Sequence, residues 1–247
     1  MTRKNWCIQL LFFAYASSVL INTLPVSAST VPSSYSILRS RLRRAPSLKY
    51  RLPPKGAPGQ RADAGSRSVC TALNGRLVAL VPPTNIGLTI AQSPTFWFYI
   101  PYNSTSHVIG KFQLLDDEEN ALYTTNVLTN TPQITSINLP QSLTLDVGKK
   151  YHWVLSFTCG SSTEASTLVH GYVERVAVKE ELQQKLDTAT TAREQIAIYG
   201  ENGLWYDMVT AFITEIRNQP QDLQLQQDWQ DLLKSPEVNL FELIEAG

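Results

Sequence analysis

Nine consecutive residues, Tyr151 to Cys159, alternate between two faces. Tyr151, Trp153, Leu155, Phe157 and Cys159 fall on one side, and His152, Val154, Ser156 and Thr158 on the other. A period of two marks a β-strand, so the first set predicts an aromatic and apolar core face. His152 then reads as an outward-facing strand residue. Other short apolar runs surround this one. Residues 77–81 close at Pro82-Pro83, and residues 93–102 are aromatic on both faces. The latter pattern predicts either a strand covered on both sides or an exposed groove of rings. Residues 111–115 and 121–123 flank the polar turn 116–120 and read as a hairpin. Residues 134–139 end at Pro140, 143–145 lead into the long strand, and 168–178 form the last one. Short strands with turn signals at intervals of about eight to twelve residues predict an antiparallel β-sandwich. Gly148 followed by Tyr151 and Trp153 fits the tyrosine corner of an immunoglobulin-like sandwich, whose phenol bonds back to the turn.

From Val178 the period becomes helical. Leu182, Leu186, Ala189, Ala192, Ile196 and Tyr199 trace one face of a first helix, broken at residues 200–203. Trp205, Met208, Val209, Phe212, Ile213 and Ile216 form the apolar stripe of a second. Pro220 and a capping Asp222 open a third, with Leu223, Trp229, Leu232 and Leu233 inward, ended by Ser235-Pro236. The hairpin 192–220 resembles a single tetratricopeptide-type repeat. One such repeat cannot bury its face alone, so this region packs on the sandwich or on a partner. The predicted class is α+β: an N-terminal immunoglobulin-like sandwich over 69–177, then a helical region over 178–247.

Charge changes the picture of what precedes the sandwich. The chain is formally neutral, with 21 basic and 21 acidic residues among 247. Yet residues 29–68 hold nine Lys or Arg against the single acid Asp63, while residues 69–247 hold ten against twenty. Recurrent prolines and glycines leave 29–68 without a core of its own, a basic arm read as disordered. Through Arg39, Arg41, Arg43 and Arg44 it is a candidate contact for an anionic envelope polymer or membrane surface. The alternative is a solvated tether, or an arm lying on its own acidic body.

Arg3 and Lys4, the apolar run 6–21 and Val26-Ser27-Ala28 compose a secretory signal over 1–28, removed after Ala28. An uncleaved anchor is the alternative, although the run is short for a bilayer span. Export makes nucleic acid an improbable partner. It also leaves Cys70 and Cys159, expected to pair and close a loop of roughly 90 residues, for about 4–5 kcal/mol on the chain-entropy model. Two buried free thiols are the alternative.

No catalytic or cofactor motif stands out. The histidines, His107, His152 and His170, lack helical ligand spacing, and the acidic run 116–119 lacks the spacing of a calcium loop. No metal and no cofactor is therefore expected. There is no G-x-S-x-G elbow, phosphate loop or dinucleotide fingerprint. Asn103-Ser104-Thr105 is a formal glycosylation sequon. The candidate binding surface is aromatic: Phe96, Trp97, Tyr99 and Tyr102 on the strand, Trp205 and Tyr206 at a helix start. Core packing is the competing account of those rings. A rival reading is an envelope hydrolase using a carboxylate pair such as Asp207 with Glu201. A third is a protein-docking subunit acting through the helical tail.

Arg51-Leu52-Pro53, Gly56-Ala57-Pro58, Arg67-Ser68-Val69-Cys70 and Ala79-Leu80-Val81-Pro82 form an ordered set of short motifs. It continues with 94–101, Val147-Gly148-Lys149, Tyr151, Trp153, Cys159, 203–207, Trp229 and Leu232-Leu233. Together they resemble domain of unknown function 928, an uncharacterised cyanobacterial family of exported proteins. The segment before Cys70 is less glycine-rich than the family pattern. The resemblance implies a bacterial envelope address and no specific activity. The sequence therefore points to a periplasmic or envelope-associated binding or structural module.

Overall fold

Two stretches, TFWFYI and KYHWVLSFTC, decide how the chain is layered, because each turns a row of rings toward the other. The computed structural model describes residues 48–63, 75–101, 108–128, 133–159 and 167–241. Within them the strands are β1 (Val78–Ala79), β2 (Ile86–Thr89), β3 (Thr95–Ile100), β4 (Val108–Leu115), β5 (Ala121–Val127), β6 (Gln133–Asn138), β7 (Lys150–Cys159) and β8 (Thr167–Arg175). The helices are α1 (Glu180–Thr188), α2 (Ala192–Glu201), α3 (Trp205–Asn218) and α4 (Leu223–Lys234). Two sheets result, with strand orders β1-β3-β6 and β2-β8-β7-β4-β5.

Phe96 and Phe98 of β3 meet Phe112 of β4 and Trp153 of β7, with ring centroids 5.1 Å (Phe96–Phe112) and 5.5 Å (Phe98–Trp153) apart. The inner rows of the two sheets thus pack face to face. Pairing is antiparallel throughout except between β2 and β8, which run parallel from Ile86↔Tyr172 to Thr89↔Arg175. The expectation of a wholly antiparallel architecture is corrected at this edge. No strand was anticipated at β2, whose four residues include Gly87. That glycine has a packing reason: a Cβ there would lie 2.7 Å from Cε2 of Tyr206, so its absence lets α3 close onto β2.

At the entry to β7, Gly148 adopts φ +80°, and the hydroxyl of Tyr151 accepts the N–H of Asp146 at 2.9 Å. The phenol bonds back to the turn, the arrangement read from residues 145–153.

The single first helix expected over 182–199 is two. Its break falls at 189–191, where the Thr191 side chain accepts from the N–H of Glu194 and the Glu194 carboxylate reaches back to cap, a capping box that starts α2 afresh. Asp222 caps α4 through the N–H of Leu225 at 3.0 Å. α3 packs on β2 of one sheet and β3 of the other. Phe212 of α3 meets Trp229 of α4 at 5.2 Å, while Leu223, expected to face inward at the start of α4, is 76% exposed.

Residues 48–63 differ from the disordered arm expected of them. Leu48 and Tyr50 are buried, and the N–H of Arg51 donates to the Gly200 carbonyl at 2.9 Å. Gln60 bridges His170, Ala62 bridges Val78, and Arg61 donates to the carbonyls of Val238 and Asn239. The prolines here hold an extended strap, with tertiary contacts supplying the order that propensity lacks. The signal segment, Arg39, Arg41, Arg43, Arg44, Cys70, Tyr102, the sequon and His107 lie outside the described residues. No helix among the described residues is long and apolar enough to cross a membrane.

Candidate functional site

Helix α3 is seated by its first two side chains. Trp205 is fully buried and donates its indole N–H to the Leu80 carbonyl at 2.6 Å. Tyr206, also buried, accepts from the indole of Trp153 at 2.9 Å and donates to the Tyr172 carbonyl at 3.0 Å. On the opposite side of β3, Trp97 donates to the Thr210 hydroxyl at 3.0 Å and lies under the Arg217 guanidinium. These rings bury most of their area where helix and sheets meet, and their polar atoms are spent inside.

That placement corrects the candidate binding surface. Phe96, Trp97, Trp205 and Tyr206 are buried, and Tyr99 is half-buried against the core. A strand with rings on both faces is here covered on both faces, by the five-stranded sheet and by α3. Among the described rings, those read as a platform are the joint of the fold.

Seating α3 in this way opens a cleft beside it. The segment after β2 forms one wall, and α2 and α3 form the other. The cavity is about 300 Å³ and is lined by Thr89, Ser93, Tyr199, Tyr206, Asp207 and Thr210 among others. Hydroxyls predominate. The carboxylate belongs to Asp207, in the first turn of α3, and its Oδ2 accepts the N–H of Ile90 at 3.1 Å. Burial pushes the Asp207 carboxyl up to about 6; bonds from the Ile90 N–H and the Thr89 hydroxyl pull the other way. Tyr199 is raised by burial first and by the Asp207 charge second. The site thus holds a carboxyl raised toward neutrality beside the Tyr199 phenol, while the hydroxyls of Ser93, Thr95, Tyr206 and Thr210 are bonded within the fold.

Glu201 does not join it. It is exposed at the end of α2 and lines a different cavity, of about 390 Å³, with Lys185, Thr190 and Glu194. Asp207 and Glu201 therefore do not face one shared space, and the proposed carboxylate pair is not assembled. Cys159 closes β7, half-buried, and is not without a partner. Of the residues that complete the cleft, Thr89 lies in a strand the sequence did not predict, and Tyr199 carried only the signal of an apolar helix face. Only the docking of α3 brings them to Asp207.

Residues 62–246 match the family model described as Domain of Unknown Function (DUF928). No curated protein matches the chain.

Proposed function

The chain belongs to that family, and on this premise we propose that it is an exported bacterial cell-envelope protein, a non-enzymatic binding module whose site is the Asp207 cleft. One observation carries the reading: the half-buried carboxyl of Asp207 lines a cavity of about 300 Å³ beside the Tyr199 phenol and is held by the Ile90 amide. Such a lining suits a small polar group, such as the amine or hydroxyls of an envelope polymer, that donates to the carboxylate. The export signal over 1–28 and the basic residues Arg39, Arg41, Arg43 and Arg44 support an envelope address, with the arm as an electrostatic contact for an anionic surface.

The finer fold we propose is immunoglobulin-like. Orders β1-β3-β6 and β8-β7-β4-β5 correspond to strands A-B-E and G-F-C-C′ of such a sandwich, with β2 added along the last strand. Tyr151, at the β6–β7 corner, stands where a tyrosine corner belongs. A Cys70–Cys159 bridge is part of the same proposal, consistent with Cys159 having an interaction partner. The carboxylate-pair hydrolase loses its support with the separation of Asp207 and Glu201.

The test is co-sedimentation of the mature protein with host envelope fractions, comparing wild type with Ala211→Arg, which obstructs the cleft. Binding by wild type and its loss in a folded Ala211→Arg variant support the reading. Equal binding by both moves the site elsewhere.

A further inference from the structure

The outer face of the five-stranded sheet carries three titratable side chains joined in a row. In the β7–β8 ladder His152 pairs with Tyr172 and Val154 with His170, so the two histidines are diagonal neighbours on one face. His152 Nε2 lies 3.0 Å from His170 Nδ1. The other nitrogen of His152, Nδ1, meets the Glu119 carboxylate at 2.8 and 3.0 Å. Glu119 holds φ 62°, a left-handed conformation that a side chain disfavours, at the tip of the β4–β5 hairpin. Asp116 secures that tip by accepting the N–H groups of Glu118 and Asn120 at 3.0 and 2.8 Å. The ring of Tyr172 stacks on His152 at 4.8 Å and 15°, and the backbone of His170 exchanges two hydrogen bonds with Gln60. Every member is held by a neighbour.

We propose that His152 and His170 bind an imidazole-seeking divalent metal ion, Cu²⁺ most tightly. Two metal–nitrogen bonds of about 2.0–2.1 Å at a right angle place their nitrogens about 2.9 Å apart, whereas a tetrahedral angle spreads them to about 3.3 Å. The separation of 3.0 Å fits the cis positions of a square or octahedral complex without moving either strand. The ion replaces the proton that His152 Nε2 and His170 Nδ1 otherwise share. Glu119 accepts the Nδ1–H of His152, which fixes the tautomer that leaves the Nε2 lone pair for the metal. Among the described residues no group of three or more histidine, cysteine or acidic ligands gathers, so water completes the coordination. The Glu119 side chain is 59% exposed, whereas that of His152 is 14% exposed. Imidazole sites follow the order that places Cu²⁺ above Ni²⁺ and Zn²⁺.

The test is titration of the untagged protein with Cu²⁺ in a non-coordinating buffer, followed by calorimetry and electron paramagnetic resonance. One ion per chain with two-nitrogen coupling is expected. His152→Ala and His170→Ala should each weaken binding at least 100-fold, roughly the loss of one imidazole ligand, and Glu119→Gln about 10- to 100-fold through the lost orienting contact. His107→Ala serves as a control that leaves binding unchanged. Should a histidine variant fail to fold, protection of His152 and His170 from carbethoxylation by Cu²⁺ reads the same site in the wild type. No binding, binding unaffected by both histidine variants, or no protection would overturn the proposal and leave a proton-sharing pair.

Discussion

The indole N–H of Trp153 donates to the hydroxyl of Tyr206 over 2.9 Å, and that hydroxyl passes a hydrogen bond on to the carbonyl of Tyr172 at 3.0 Å. A side chain of β7, a helix start and the backbone of β8 are thereby joined in one buried chain. Removing the middle hydroxyl with Tyr206→Phe leaves the ring packing intact and strands a donor and an acceptor. The variant should lose about 2 kcal/mol of stability and about 4–8 °C of Tm, measured by urea and thermal unfolding. A neutral outcome would mean that water replaces the hydroxyl.

Asp207 makes stability depend on pH in a defined direction. Its carboxyl is raised from 3.8 to about 6 in the folded chain. Between about pH 4 and pH 6 the folded chain therefore holds a proton that the unfolded chain has released, and stability falls as pH rises through that window. The limiting change is about 3 kcal/mol, flat above the folded pKa. Asp207→Asn should abolish this component, so the wild-type-minus-variant difference in unfolding free energy declines from pH 4 to pH 6. An unchanging difference would place Asp207 in water.

Arg193 of α2 and Asp228 of α4 meet at 2.7 Å, with the Asp228 side chain only 3% exposed. Arg193→Met leaves that carboxylate with Gln224 as its remaining side-chain donor. A loss of about 2–3 kcal/mol is expected, less than for a fully buried pair because solvent reaches the arginine side. Adding Asp228→Asn should restore part of it, since the uncompensated charge is gone. Denaturant midpoints of the two variants decide this.

Local signals in the sequence carried the strands and the last two helices well. The alternation from Tyr151 to Cys159 located β7, the glycine and tyrosine of the corner located its entry bond, and Asp222 marked the start of α4. The break between α1 and α2 was masked because apolar residues keep helical spacing across Ala189 and Ala192, while the deciding feature is the Thr191–Glu194 capping box. β2 escaped because it is short, contains Gly87 and pairs in parallel with a strand far along the chain. Long-range placement was not legible. Trp97 and Tyr206 fit either a binding platform or, more readily, core packing until α3 is docked. His152 and His170 are 18 residues apart, and only the β7–β8 register sets their rings together.

We propose that this protein meets its ligand in the cleft beside α3. The most direct measurement is the amide chemical-shift map of the ¹⁵N-labelled mature protein titrated with solubilised envelope fragments. Shifts clustered on Thr89, Ala91, Thr95, Tyr199, Asp207 and Ala211, and lost in Ala211→Arg, are the predicted result. Shifts confined to other surfaces, or a spectrum unchanged at saturating fragment, would contradict the account.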